Sequence, residues 1–323
     1  FYVPHGALGA ELTRDYGDRT RLFGWTHLIS ALGIGAGMGL FWVLSNSAEQ
    51  RATALVLSSA GGALVAALIL WSTWRLPERR EHQGRGGRLP TRAFLDVVRN
   101  PHSRLLLFVY GIELFGVASI MMLLPYVVEY VLHMPLSATT GVIACFLLPQ
   151  FAATPLWLAL APRFEKKQLW LFAMVLMAAG FFGLFAVGPD TAYLLYALTA
   201  VLGSASGCTS VMSPSIQADI IDYDEYLTNE RKEGAYLAIW NLVRKGAAGL
   251  MGLLVGLVLG AVDFEPNVEQ SEHTKLAIRV LFSVVPGACY VVGALFFARF
   301  SFNREEHARV LDVLRSRRVE RAD

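Results

Sequence analysis

The sequence predicts an all-α protein that crosses a membrane many times, and three observations carry that prediction. Apolar residues make up 54% of the 323 positions and charged residues only 17%, which lies outside the range of soluble globular chains. The apolar residues gather into runs of about 20 or more, the length a helix needs to cross roughly 30 Å of hydrocarbon. Between these runs, Lys and Arg crowd into every second connector, as the orientation rule for membrane helices requires.

In chain order the first run, residues 1–12, reads as the tail of a span that starts earlier. Complete spans follow at approximately 22–45, 52–74, 105–131, 136–162, 168–188, 191–221, 235–262 and 277–298. One set of connectors is basic: "TRDYGDRTR" (13–21), "RLPERREHQGRGGRLPTR" (75–92), "RFEKK" (163–167), "DEYLTNERKEG" (224–234) and the tail after Arg299. The other set is "SNSAEQR" (45–51), "LHMP" (132–135), "GPD" (188–190) and the acidic "VDFEPNVEQSEHTK" (262–275). Only Arg51, Lys275 and Arg279 lie near this second set, and Arg244 and Lys245 lie deep within a span. The basic set is therefore expected in the cytoplasm, together with the C-terminus. Expected localisation is a plasma membrane of the bacterial inner-membrane type.

Residues 77–103 form the longest basic connector and divide the chain. Residues 1–76 are expected to be the remainder of an N-terminal bundle, 104–300 a C-terminal bundle and 301–323 a cytoplasmic tail. Within the connector, "TRAFLDVVRN" can form a short amphipathic helix with Phe94, Leu95, Val97 and Val98 facing the membrane interface. The tail helix reads the same way, as a basic helix resting on the anionic leaflet. Cys145, Cys208 and Cys289 sit in three different apolar runs, with the spacing of core residues rather than of a disulfide framework or metal site.

A constant offset superposes Pro4 on Pro214, Asp15 on Glu225 and Arg21 on Arg231, each pair at the same kind of helix-to-loop transition. Such duplication is frequent in secondary transporters. Completing the first copy calls for roughly three more spans ahead of Phe1, so the chain is expected to begin inside the fourth of twelve.

Charges near the spans are the candidates for function, because one at the bilayer centre costs about 3 to 17 kcal/mol. Lys245 lies roughly 15 Å into its helix at about 1.5 Å per residue, either as a fixed ion pair to the preceding span or as a residue whose pairing changes with the transported species. Asp219 and Asp222, spaced i, i+3, share a helical face that Glu225 continues. This ladder reads as an inner gate closing on Arg231, Lys232 or Lys245, with Asp224 and Glu225 as a solvated helix end. Asp15, Arg19 and Arg21 form the matching element in the first copy, with Glu11 one turn deeper. Glu113, in "YGIELFG", is the carboxylate near mid-depth of a complete span, suited either to carrying a proton or to a single bond with a neighbouring helix. Glu129 and His133 read as solvated at the outer interface. Tyr2, His5, Trp240 and Asn241 are the aromatic and polar candidates for holding a sugar-like solute. Gly33, Gly35, Gly37 and Gly39 permit close helix approach.

Four segments carry a family resemblance: "YVPHGALGAELTRDYGDRTRLFGW" (2–25), "LPYVVEYVL" (124–132), "PLWLALAPRFEKK" (155–167) and "ADIIDYDEYLTNERKEGAYLAIWNLVRKGAAGLMGLLVG" (218–256). Together they make the chain similar to the glycoside-pentoside-hexuronide cation symporters of the major facilitator superfamily. That resemblance implies a fold of two six-helix bundles. It implies cation-coupled symport, driven by H⁺ or Na⁺, of a glycoside or similar solute by alternating access, and a functional role for Lys245. Sugar-transporting members have an acidic residue where Tyr2 stands, an Arg in the region of Thr26 and His27, a Trp near Ser210, and cation-site carboxylates in span two. The apolar spans also suit a carrier for an amphiphile such as a lysophospholipid or drug, and more remotely a membrane sensor. Without a nucleotide loop, zinc motif or nucleophile motif, no enzyme, cofactor or metal is expected. The expected partners are a small solute and the lipid bilayer, without nucleic acid, around a monomer.

Overall fold

The structure is a computed structural model, describing residues 16–45, 47, 49–75, 90–135, 138–230 and 232–322. Every regular element among them is helical. In order these are α1 (Tyr16–Ser45), α2 (Gln50–Arg75), α3 (Pro90–Arg99), α4 (Pro101–Tyr126), α5 (Ala138–Leu160), α6 (Lys166–Phe185), α7 (Tyr193–Thr228), α8 (Glu233–Ala261), α9 (Glu272–Arg279), α10 (Val285–Phe297) and α11 (Arg304–Ala322). Seven helical stretches are long and apolar enough to cross a membrane: Arg51–Arg75, Pro101–Val131, Ala138–Leu160, Lys166–Phe185, Tyr193–Thr228, Glu233–Ala261 and Glu272–Phe297. They coincide with seven of the expected spans, and α1 runs unbroken through the eighth. The protein is a multi-pass membrane protein.

The chain divides into two compact units. The smaller, Trp25–Gly86, holds most of α1 together with α2. Around Gly33, Gly35, Gly37 and Gly39 no neighbour lies within 4 Å of where a Cβ would stand, so the close approach expected of this stripe is not made with any described residue.

The larger unit contains the C-terminal bundle and, packed with it, the start of α1 from Tyr16 to Gly24. Its tightest helix pair is α5 with α7. The run Gly203-Ser-Ala-Ser-Gly207 brings two glycines onto one helical face, four residues apart, as in close-packed membrane helices. A Cβ at Gly207 would lie 2.5 Å from the carbonyl oxygen of Gln150, and one at Gly203 would run into that of Phe146. Trp157 Nε1 donates across the same seam to the Ser204 carbonyl at 2.8 Å. On the other side, α4 packs against α8 and α10. Asn100 caps α4 by accepting from the His102 and Ser103 backbone N–H groups, leaving Pro101 at the first helical position, where its missing N–H costs nothing.

Three expectations change here. The seventh helix does not stop near residue 221 but continues to Thr228, where Asn229 ends it in a left-handed conformation. Asp224 and Glu225 are therefore buried rather than a solvated end. The tail helix α11 does not merely lie on lipid. Its His307, Val310 and Leu314 are buried, a stripe at i, i+3 and i+7 that packs on α7. In α3, Phe94, Leu95 and Val98 are exposed as expected, but Val97 is fully buried because Lys232 anchors Asp96 beside it at 2.8 Å.

Candidate functional site

Charged residues from four parts of the larger unit meet at the basic end of the bundle. Arg19 sits in the first turn of α1, which Gly24 holds close to α5. A Cβ at Gly24 would come within 2.5 Å of Leu158. Thr20 and Ser215 join their hydroxyls at 3.1 Å alongside. Arg19 is thereby turned onto the acidic face of α7, where Asp219 and Asp222 lie one turn apart. Its Nη1 donates to Asp219 Oδ1 at 2.9 Å and stands 2.7 Å from Asp222 Oδ2.

Two further residues close the cluster. Lys166, at the start of α6, donates to the other oxygen of Asp219 at 2.6 Å. His307 of α11 places Nε2 3.1 Å from Asp222 Oδ2 and 3.5 Å from Arg19 Nη1. All five side chains are buried. Two cations thus face two carboxylates, which a dry interior tolerates only when each charge is matched and hydrogen-bonded. Burial works against the charge of Arg19, yet Asp222 and Asp219 hold its pKa above the ordinary arginine value.

Beside this cluster, Lys232 binds Asp96 at 2.8 Å, Glu230 at 3.5 Å and Asp224 at 3.6 Å, tying α3 to the turn between α7 and α8. Burial lowers the Lys232 pKa, but the hydrogen bond it donates to Asp96 and the charges of Asp224, Asp96 and Glu230 outweigh it, and the net shift is upward. Tyr236 completes the corner by accepting from Asn100 Nδ2 at 3.0 Å.

The sequence-derived candidates separate into groups. Arg19, Asp219 and Asp222 come together, whereas Arg21 lies at the exposed rim of a cavity of about 510 Å³ that also takes in Asp18, Arg304 and Arg315. Among the possible partners for the acidic ladder, Lys232 reaches Asp224, whereas Lys245 is exposed and makes no hydrogen bond or ion pair among the described residues. Trp240 is buried, with its ring centre 5.1 Å from that of Tyr110, so its indole packs inside the bundle. Asn241 is half-buried and accepts from the Arg244 guanidinium at 2.7 Å. Glu113 is buried inside the bundle and makes no ion pair among the described residues. Tyr2, His5, Glu11, Asp15 and Arg231 lie outside the described residues. Lys166 and His307 were not candidates from sequence. The available signals were a basic residue opening an apolar helix and a His in register with the apolar stripe of the tail.

The family described as MFS/sugar transport protein matches residues 1–304. The putative sulfoquinovose importer of Escherichia coli is 29% identical over 157 residues, 48% of this chain and 33% of that protein. The putative 2,3-dihydroxypropane-1-sulfonate exporter of the same organism is 26% identical over 207 residues, 60% of this chain and 42% of that protein. Its glucuronide carrier protein homolog is 26% identical over 161 residues, 50% and 35% respectively. The chain thus spans well under two thirds of the length of the curated relatives it matches. In three dimensions it is similar to the crystal structure of the Escherichia coli fucose:proton symporter, with a TM-score of 0.65 at 15% identity over 93% of this chain and 73% of the other. The helical bundle is therefore of the major facilitator type, and the chain belongs to the MFS/sugar transport protein family of major facilitator transporters.

Proposed function

We propose that the protein is a secondary transporter of the plasma membrane that couples symport of a sugar-type solute to H⁺ or Na⁺ and works by alternating access. The observation that supports this reading most directly is the buried cluster of Arg19 with Asp219 and Asp222. It joins the α1 segment to the C-terminal bundle at the end read as cytoplasmic. A matched charge network is bistable. It is stable while dry and complete, and it hydrates readily once its partners separate. Those are the properties of an inner gate. Lys166 and His307 belong to the gate in this reading, and Arg21 lies beside it.

The solute side of the reading rests on α8. Arg244 and Lys245 stand on consecutive positions near mid-span, and both are exposed. Membrane cations of this kind usually face a water-filled cavity. Together with Asn241 they suit a solute that carries hydroxyl groups and a negative charge. The names of the similar carriers refer to a sulfonated sugar, a sulfonated diol and a glucuronide, which points the same way. Trp240 is less suited to stacking on a sugar because it is packed within the bundle. An amphiphile is the weaker alternative, since an apolar solute would gain nothing from this pair of cations.

The test is uptake by the full-length protein in proteoliposomes, with labelled neutral sugars, sugar acids and sulfonated sugars, under imposed Na⁺ or H⁺ gradients. Accumulation of at least one anionic sugar under one gradient is expected. Accumulation of none of them under either gradient would sink the reading.

A further inference from the structure

We infer that Glu113 is a proton-binding site inside the C-terminal bundle and that the coupling ion is H⁺. This rests on the cation-coupled reading above and deepens it.

Glu113 lies on α4, twelve residues beyond its start at Pro101, and its exposure is only 2%. Its carboxyl is enclosed by three other helices. The α6 neighbour is Trp170, the α7 neighbour is Cys208, and α10 contributes Tyr290. A Cβ at Gly293 of α10 would lie 3.7 Å from Glu113 Cγ, so a larger residue there would crowd the carboxylate stem. Next to it, Gly116 lets α4 reach α10, where an added Cβ would be 3.0 Å from both Cys289 Cβ and Pro286 Cα.

The titratable groups facing Glu113 are the Cys208 thiol from α7 and the Tyr290 phenol from α10, with Cys289 a turn away. None of these is a cation, and α6 supplies only an indole. No Lys, Arg or His forms an ion pair with Glu113 among the described residues. Glu113 Oε1 is buried without a close hydrogen-bond partner, and the neutral indole N–H of Trp170 faces the carboxyl.

An ionised carboxylate in such a place would lack both solvation and a counter-charge, which costs several kcal/mol or more. The neutral acid avoids that cost. A hard metal cation is a poor alternative occupant, because it needs several oxygen ligands and these neighbours offer an N–H, a thiol and one phenol. A proton needs only the one carboxylate oxygen.

The surrounding backbone also gives the site a means of opening. Immediately before Pro286, residues Val280–Val284 form a π-helical turn in the span that continues as α10. Such turns commonly mark functional irregularities, and a following proline weakens the ladder further. A shift of α10 at this point would expose Glu113 to water and allow its proton to leave.

The test uses the full-length protein carrying ¹³C-glutamate in proteoliposomes. Infrared spectroscopy at neutral pH is expected to show a protonated-carboxyl band in the wild type that disappears in Glu113→Gln. Because the band needs no substrate, this arm stands even if the symport reading fails, and should Glu113→Gln not fold, Glu113→Asp, whose carboxyl carries no label, removes the labelled band in its place. In the second arm, wild-type vesicles accumulate solute under a pH gradient, whereas Glu113→Gln vesicles exchange solute across the membrane but do not accumulate it. A wild-type spectrum without a buried protonated carboxyl would overturn the inference. So would full pH-driven accumulation by Glu113→Gln, or wild-type accumulation driven by Na⁺ alone; the last would leave the transport reading intact.

Discussion

Nη1 of Arg19 stands 2.7 Å from Oδ2 of Asp222, and neither side chain is exposed to solvent. They lie far apart in the chain, yet the pair holds the beginning of α1 against the end of α7. Removing one member of a buried pair leaves the other charge uncompensated, at about 3–5 kcal/mol. Arg19→Gln should therefore destabilise the closed arrangement by roughly that amount, and Arg19→Gln with Asp222→Asn by less than the sum of the single variants. Thermal unfolding of the four proteins in detergent measures the coupling.

The tail helix contributes to the same network through His307, whose Nε2 lies 3.1 Å from Asp222 Oδ2. His307→Ala removes one hydrogen bond to a charged partner, worth about 1.5–3 kcal/mol. A smaller destabilisation than for Arg19→Gln is expected in the same assay, together with faster proteolysis of the tail after Phe302. Equal protease resistance in the variant would show that Val310, Leu314 and the bonds from Arg317 to Tyr226 and Asn229 hold α11 without His307.

Glycine in the α5–α7 seam is required by space. Gly203→Ala directs a methyl group into the carbonyl oxygen of Phe146, and overpacking of this kind costs about 1–3 kcal/mol. Gly249 has no neighbour within 4 Å of its Cβ position, so Gly249→Ala should leave the unfolding temperature in place or raise it slightly. The comparison separates a packing effect from a general effect of replacing glycine.

Lys232 gives a pH dependence of definite sign. Its folded pKa lies above the ordinary 10.5, so the stability it contributes is present at neutral pH and is lost as pH rises past that value. Wild-type stability should decline across this alkaline range more steeply than that of Lys232→Met, in which Asp96 and Asp224 have already lost their cation. Parallel decline of the two proteins would contradict the assignment.

Lys245 is expected to behave in the opposite way to the residues of the Arg19 cluster. It is exposed and makes no bond among the described residues, so Lys245→Ala should unfold at the wild-type temperature while losing gradient-driven accumulation. Retained accumulation would remove it from the transport pathway.

The spans were legible in the sequence because apolar length and the placement of basic residues are local properties. The carboxylates of the buried cluster were legible for a related reason, since Asp219 and Asp222 stand out against an apolar run. Their partners were less so. Arg19 could be suspected from the repeat, but Lys166 and His307 join the cluster only through tertiary packing, which spacing does not reveal. The same limit explains Asp224 and Glu225. Acidic residues at a helix end read as solvated until Lys232 is seen folding back to neutralise Asp224. Trp240 shows the converse, since an aromatic ring near a candidate cavity has the same signature in sequence whether it faces the solute or, as here, Tyr110.

The account turns on the Arg19 cluster as a closure that opens, and Ser215, buried beside it and bonded to Thr20, reports on that directly. With Cys145, Cys208 and Cys289 replaced, Ser215→Cys is exposed in inside-out vesicles to a membrane-impermeant maleimide, with and without Arg19→Gln. The account predicts slow labelling with Arg19 present and at least tenfold faster labelling without it, as a loss of about 1.4 kcal/mol or more from the closed state requires. Equal labelling rates in the two proteins would contradict it.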